Sequence, residues 1–363
     1  MKISKKWLKY SISLIMIIIF FISIFNYKID SLGIFGNSNY LLKAAKTLTE
    51  GQMIAGLSNY DHRLFEEFII KNLQRKNDVI LIGSSKTMLL RKRFFLKKEK
   101  NFFNHSVTGA SLEDYISIIG AYESIHGYIP STVILGIDPW VFNKYSKQKR
   151  WKALEKYYNY EMNNILNSKQ KQIETINTIK WKQLFNYEYS ISNINHFIKT
   201  INNNDSAFYV TDTIEIDDYI KELDGSNWYP YKKRYPDYDY VKRSAIAVTK
   251  RVYGLEGFDT LSNVKLFENF IKYLESKKIK IIFYLPPYHP IGYDILSKND
   301  KYKNILVAEE YLNSFAYKNK IPLYGSYNPY KYKLTNKDFI DGNHPQDNVH
   351  EKIFNYHNVT VEH

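Results

Sequence analysis

The sequence predicts an α/β protein: a doubly wound, five-stranded parallel sheet with a long, mostly helical insert, behind an N-terminal transmembrane helix. Three observations predict it. Five short β-branched or aromatic runs each end in Gly, Pro or a small polar residue, the pattern of strands buried on both faces. Helical segments separate most of these runs, as expected of parallel strands joined by crossover helices. An uncharged apolar stretch stands apart from them near the N-terminus.

That stretch comes first in the chain. Residues 7–27 read WLKYSISLIMIIIFFISIFNY, with no charge from Ser11 to Phe25, and with Trp7, Tyr10 and Tyr27 where an interfacial aromatic belt falls. A span takes about 20 largely apolar residues, and the stretch reaches that length when Lys9 snorkels. Lys2, Lys5, Lys6 and Lys9 precede or open it, so the positive-inside rule leaves residues 1–6 as a cytoplasmic tail and sends the rest outside. Residues 28–33, KIDSLG, offer no small-x-small cleavage pattern, which favours an uncleaved anchor over a signal peptide. No later run is comparably long and apolar. The expectation is a single-pass protein of the cell membrane with a large extracytoplasmic domain.

Residues 28–60 read as a polar juxtamembrane segment with one short helix from Tyr40 to Thr49, and residues 61–363 as the main domain. Asp61 caps a helix over Leu64 to Gln74, where Leu64, Phe65, Phe68 and Ile69 recur at helical spacing. Val79 to Ile82 is a buried strand running into Gly83-Ser84-Ser85, where the chain turns into a helix. Phe102 to Asn104, Thr132 to Gly136, Lys280 to Leu285 and Pro322 to Tyr324 are the other strands. Helices over Leu112 to His126, Asn263 to Lys277 and Ala308 to Lys318 lie between them. The connection from Asp138 to Lys280 takes about 140 residues, several times an ordinary crossover. Its core, an insert at 141–262, is rich in Tyr, Asn and Lys, reads as helical from Arg150 to Ile201 and irregular afterwards, and is a candidate cap over the sheet's carboxyl edge.

Composition narrows the chemistry. At 363 residues and 44% apolar content the chain builds a substantial core, which excludes wholesale disorder. Cysteine is absent, which removes disulfides, thiolate catalysis and cysteine-based metal sites. A net charge of +14 suits an anionic membrane or cell-wall environment. Without an Arg-rich stripe, zinc-finger spacing or RNP motif, no nucleic-acid partner is expected. No histidine spacing points to a metal, and no cofactor is indicated.

In an open parallel sheet, ligands bind outside the carboxyl ends of the strands. The polar residues there are Ser84, Ser85, Asn104, His105, Gly109 and Asp138, and near the C-terminus stands Asp341-Gly342-Asn343-His344-Pro345. A serine nucleophile needs a base for its proton, and the base needs an anion to fix its tautomer. Asp341 and His344, three residues apart, can supply both from one loop. The bland reading of Ser84 and Ser85 is a tight turn of small residues, and that of His344 a solvated loop side chain. His105 is either a rival base or a satisfied core residue. His289, in Pro286-Pro287-Tyr288-His289-Pro290, is either a substrate contact or loop packing. Trp228 and Tyr231, in an aromatic and basic run over 228–236, either stack sugar rings or pack on their own domain. Asp114 reads as a charge favoured by a helix N-terminus.

These residues resemble a known family. Gly83-Ser84-Ser85 after the first strand, Asn104 to Gly109 after the second, Gly136-Ile137-Asp138 after the third and the terminal Asp341-x-x-His344 look like the four blocks of the SGNH (GDSL-like) hydrolases. The likeness covers most of residues 61–363 outside the insert and implies an SGNH, flavodoxin-like sheet. The anchor, Gly-Ser-Ser in place of Gly-Asp-Ser, and the ending Asp341 to Pro345 look most like the envelope branch, which includes teichoic-acid D-alanylation and alginate acetylation proteins. The resemblance implies Ser85 as nucleophile, His344 as base, Asp341 as its orienter, and the N–H groups of Ser85 and Gly109 as oxyanion donors. It departs at Asp138, where the family usually has a donating Asn; an ionised Asp there repels an oxyanion. Protonation of Asp138, a substitute donor in Asn104 or Asn343, or another job for Asp138 would each accommodate the departure.

The expectation is a serine O-acyltransferase or esterase handling acyl, foremost acetyl, groups of a cell-surface polysaccharide or teichoic-acid-like polymer, beside a multi-pass membrane O-acyltransferase as partner. Two rivals stand: a de-O-acetylase of the same polymer, and a non-catalytic glycan-binding or assembly subunit on a degenerate SGNH fold.

Overall fold

A computed structural model describes residues 2–31, 35, 39–57, 60–94, 100–166, 181–202, 208–250 and 254–356. In chain order, α1 (Lys2–Ile29) is followed by α2 (Asn39–Thr49), β1 (Met53–Ala55) and α3 (His62–Lys71). Then come β2 (Val79–Ile82), β3 (Phe102–Asn104), α4 (Leu112–His126) and β4 (Thr132–Gly136). The insert holds α5 (Glu155–Ile165), α6 (Tyr187–Asn202), β5 (Tyr209–Thr211), β6 (Ile220–Lys221), β7 (Asn227–Trp228) and α7 (Tyr238–Lys250). The chain closes with α8 (Val264–Ser276), β8 (Lys280–Leu285), α9 (Pro290–Ser297), α10 (Asn304–Asn319), β9 (Leu323–Gly325) and α11 (Asp347–Tyr356).

The five expected strands form one parallel sheet in the order β3-β2-β4-β8-β9. Successive side chains of a strand point to opposite faces, and both faces are covered. Ile80, Ile82, Val133, Leu135, Phe283 and Leu285 join a core with Ile116 of α4, Phe267 of α8 and Leu312 of α10. Val79, Leu81, Ile134 and Ile282 join a second core with Val349 and Ile353 of α11 and Val241 of α7. Each such fully buried aliphatic side chain contributes about 1.5–3 kcal/mol. The unbroken apolar strand sequences follow from this double burial.

The anchor-like stretch is helical. Within α1, the 24-residue segment Lys6–Ile29 contains an 18-residue stretch of mean hydropathy 2.3 and is long and apolar enough to cross a membrane.

Three local expectations need correction. The helix after Asp61 starts at His62, because the Asp61 carboxylate accepts the Arg63 and Leu64 N–H groups, and it ends at Lys71 rather than Gln74. There Asn72 leaves helical geometry at φ −110°, ψ 15°, and its N–H and side chain both donate to the Phe68 carbonyl. No helix follows Ser84; Ser85–Thr87 is a single 3-10 turn. The Thr87 hydroxyl donates to the Ser84 carbonyl and Ser84 Oγ accepts the Lys86 N–H, local bonds that compete with a continuing helix. The insert beyond Ile201 is not irregular: β5, β6 and β7 build an antiparallel sheet, β5-β1-β6-β7, around a strand from the juxtamembrane segment. Strands of two or three residues carry no readable alternation.

Candidate active site

The carboxyl ends of β2, β3 and β4 deliver Ser85, Gly109 and Asp138 to one edge of the sheet, and the loop between β9 and α11 returns to that edge with Asp341 and His344. Ser85 Oγ lies 2.9 Å from His344 Nε2, and His344 Nδ1 lies 2.9 Å from each Asp341 carboxylate oxygen. Asp341 Oδ1 also accepts the N–H groups of Asn343 and His344, at 2.8 and 2.9 Å. Burial disfavours the Asp341 charge, but the His344 contact and these backbone donors outweigh it and draw its pKa down to about 2. A carboxylate that only accepts assigns the Nδ1 proton to its side of the ring, leaving Nε2 to accept the Ser85 hydroxyl proton. The arrangement can therefore deprotonate Ser85 as its oxygen attacks an electrophile.

The loop carrying the base is held by the insert. The Gly342 N–H donates to Ser244 Oγ of α7 at 3.1 Å. A Cβ on Gly342 would lie 2.3 Å from Ala245 N and 2.4 Å from Ala245 Cα, so only glycine admits this approach of loop to helix. Inside the loop the Ile340 N–H donates to the His344 carbonyl, and Phe339 bridges to Pro345. Sequence reasoning identified the loop and missed its brace; the glycine between Asp341 and His344 is the one signal that pointed to a close approach.

Ser85, Gly109, Asn343 and His344 share a cavity of about 680 Å³. Its walls are Trp140 and Tyr288 from the main domain, Tyr60 and His62 from the segment leading into α3, and Arg150, Tyr219, Lys221 and Tyr229 from the insert. The insert thus caps the carboxyl edge of the sheet. The described lining residues include two long cations, Arg150 and Lys221, and Lys221 Nζ lies 3.8 Å from the buried Glu66 carboxylate.

The candidate oxyanion residues divide. Gly109 lines the cavity at φ +56°, a left-handed conformation that favours glycine. Its carbonyl accepts Gln148 Nε2 at 3.0 Å, while Arg63 grips the Thr108 carbonyl and, bidentately at 2.8 Å, the Asp114 carboxylate. Asp114 is thus more than a helix-end charge: it anchors the loop carrying Gly109. The Asn104 reading is corrected: its Nδ2 donates to the carbonyls of Thr87 and Leu90 and its Oδ1 accepts the Ser106 N–H, so no donor remains for a ligand. Asn343 lies in the cavity wall. Asp138 is fully buried beside an equally buried Lys86, with Nζ 3.1 Å from Oδ1 but outside hydrogen-bond angles. Burial raises the Asp138 pKa and lowers that of Lys86, and each charge opposes the shift of the other. The Lys86 ammonium also sits 3.7 Å from the Tyr288 ring centroid and 5.2 Å from that of Trp140, two cavity walls. A buried cation and a buried carboxylate thus stand side by side behind the cavity wall, and nothing in the sequence around Ser85 marks Lys86 as buried.

The candidate substrate contacts fall outside this cavity. His289 is fully buried; Nδ1 accepts the Ile291 N–H, and the ring packs edge-on against Phe339 behind the base loop. That is the loop-packing alternative. Trp228 is sandwiched between Arg91 and Arg234, whose guanidinium carbons lie 4.9 and 4.5 Å from its ring. Tyr231 packs at a tilt of 38° against Tyr235 beside a separate cavity of about 410 Å³ that Asp341 also lines. The aromatic at the cavity is the intervening Tyr229. His105 is a core residue: its ring nitrogens contact Glu66 and Tyr122, each at 2.7 Å.

No protein-family model, curated protein or solved structure matches this chain. Its functional reading rests on the residues and their geometry.

Proposed function

We propose that the chain is a membrane-anchored serine acyl-transferring enzyme of SGNH type, facing the outside of the cell, that moves or removes acyl groups on a surface polysaccharide or teichoic-acid-like polymer. The observation that carries the reading is the Ser85–His344–Asp341 relay, two 2.9 Å steps opening into a cavity. In the proposed reaction Ser85 Oγ attacks an acyl carbonyl while His344 Nε2 takes its proton. The proton passes to the departing alcohol or thiol of the donor, leaving an acyl ester on Ser85. A sugar hydroxyl or water then attacks that ester; His344 takes the incoming proton and returns it to Ser85 as the acyl group leaves. The amides of Ser85 and Gly109 serve the developing oxyanion. Aromatic walls at Tyr60, Trp140, Tyr219 and Tyr229 suit sugar rings, and Arg150 with Lys221 suits anionic substituents. The doubly wound SGNH assignment, the outward orientation and a multi-pass acyltransferase partner belong to the same proposal.

A fluorophosphonate probe tests the nucleophile: it labels the full chain and fails to label Ser85→Ala. Equal labelling of both removes the assignment. Acetyl content of surface polymer from cells carrying Ser85→Ala then separates the outcomes. A fall supports transfer, a rise supports de-O-acetylation, and no change with labelling lost supports neither.

A further inference from the structure

Helix α6 of the insert lies against the end of α1, and the contact is polar where a lipid-facing helix can least carry polar groups alone. Asn26, fully buried, donates from Nδ2 to the Leu184 carbonyl and to Ser190 Oγ, each at 2.8 Å, and its Oδ1 accepts Asn193 Nδ2 at 2.9 Å. The Ser31 N–H donates to Asn193 Oδ1, and the Tyr189 hydroxyl to Asp30 Oδ1, both at 2.8 Å. An amide left unpaired within the hydrocarbon of a bilayer costs several kcal/mol, and the insert supplies the partners of Asn26.

The pairings also set the direction of α6. Asp30 meets Tyr189, Asn26 meets Asn193, and Phe25 packs edge-on against Phe197 with centroids 5.6 Å apart. The two helices run antiparallel, so the second half of α6 descends toward the apolar body of α1. Above it, Trp181 stacks on Tyr27 at 6.1 Å, an aromatic pair of the kind that marks a membrane–water boundary. Below that level Ile194, Phe197 and Ile198 remain 41–48% exposed. They continue the surface of α1, where Leu14, Phe20 and Phe21 are 60–63% exposed.

We propose that α6 is seated in the bilayer boundary beside α1, with Ile194, Phe197 and Ile198 in contact with lipid. The occupant is lipid because the exposed face adjoins, through the Phe25–Phe197 contact, a helix apolar enough to span. Asn195, also exposed, puts a polar group on α6 away from the buried Asn193 contact with α1. Seated this way, α6 gives the main domain a second point of attachment and fixes its height and rotation over the membrane. The proposal rests on α1 as an anchor and is independent of the chemistry at Ser85.

The cysteine-free sequence makes the test clean. Single variants Ile194→Cys and Ile198→Cys of the full chain are labelled with a small environment-sensitive fluorophore. They are reconstituted in phosphatidylcholine–phosphatidylglycerol vesicles beside Ile18→Cys in α1 and Tyr317→Cys, whose parent residue is 90% exposed on α10. Nitroxide-bearing lipid is expected to quench the labels at 194 and 198 at least half as strongly as the label at 18, while aqueous iodide leaves them bright. The label at 317 shows the reverse. Labels at 194 and 198 that behave like the one at 317 overturn the proposal. So do labels hidden from both quenchers, which would reveal a protein copy on this face. Absence of lipid quenching at 18 removes the anchor itself and this proposal with it.

Discussion

Replacing Gly342 by alanine tests whether the insert positions the base. The added Cβ would stand 2.3 Å from Ala245 N and 2.4 Å from both Ala245 Cα and Ser244 C, all backbone atoms of α7 that cannot swing aside. Relief of the shortest contact to 3.4 Å requires the loop and helix to part by 3.4 − 2.3, or about 1 Å. His344 lies two residues along the same loop, so its 2.9 Å contact with Ser85 stretches toward ~3.9 Å, beyond a hydrogen bond. Misplacement on that scale costs about 100-fold in rate, or about 2.7 kcal/mol in barrier. The assay is the second-order rate of fluorophosphonate modification at Ser85, read by intact mass, with melting curves to show that the variant is folded. Gly127→Ala is the control: its Cβ meets nothing within 4 Å, and its φ of +70° makes the substitution strained but remote from the site. Modification of folded Gly342→Ala within threefold of the parent chain would refute the brace.

Two further outcomes follow from buried charge. Lys86→Met and Asp138→Asn each strand one member of a fully buried pair and are expected to cost about 3–5 kcal/mol, whereas the double variant costs far less than their sum; denaturant unfolding of all three measures the coupling. His289 and His350 are fully buried and held neutral, their pKa values drawn down by burial to about 4 and about 3. The unfolded chain takes up these protons first, so the stability they confer is complete above pH 6.5 and is lost as pH falls toward the folded values. At pH 5 the loss is about 2 kcal/mol per histidine. His289→Asn, which retains an acceptor for the Ile291 N–H, should shrink the drop between pH 7 and pH 5 by that amount; an unchanged slope contradicts the assignment.

What the sequence made legible follows from how strongly each feature is constrained by local physics. Val79 to Ile82 or Lys280 to Leu285 can only be buried strands, because no other environment accepts such a run between turn residues. Residues 7–27 were legible as a helix long and apolar enough to span for the same reason. Asp341 and His344 were legible as a pair because three residues of loop hold both against each other whatever the rest of the fold does. That Ser85 would meet them was an expectation from chain order, and the 259-residue separation is closed only by the completed sheet. The small sheet was hidden because Met53–Ala55 finds its partners more than 150 residues later in strands too short to show a period. Lys86, Arg63 and Gln148 were hidden because a long polar side chain gives no sign of being buried until its partner is known. The turn after Ser84 was misread as a helix because hydroxyl side chains, rather than a backbone preference, set its course.

The separation of Ser85 from the loop that completes it also governs timing. A ribosome delivers the serine 259 residues before the imidazole, and the contact of Gly342 with α7 cannot form until that later loop exists. A half-made or prematurely ended chain therefore carries a hydroxyl no more reactive than that of any other serine. Whatever chemistry the molecule performs is withheld until His344 has been made and has folded back against Ser85.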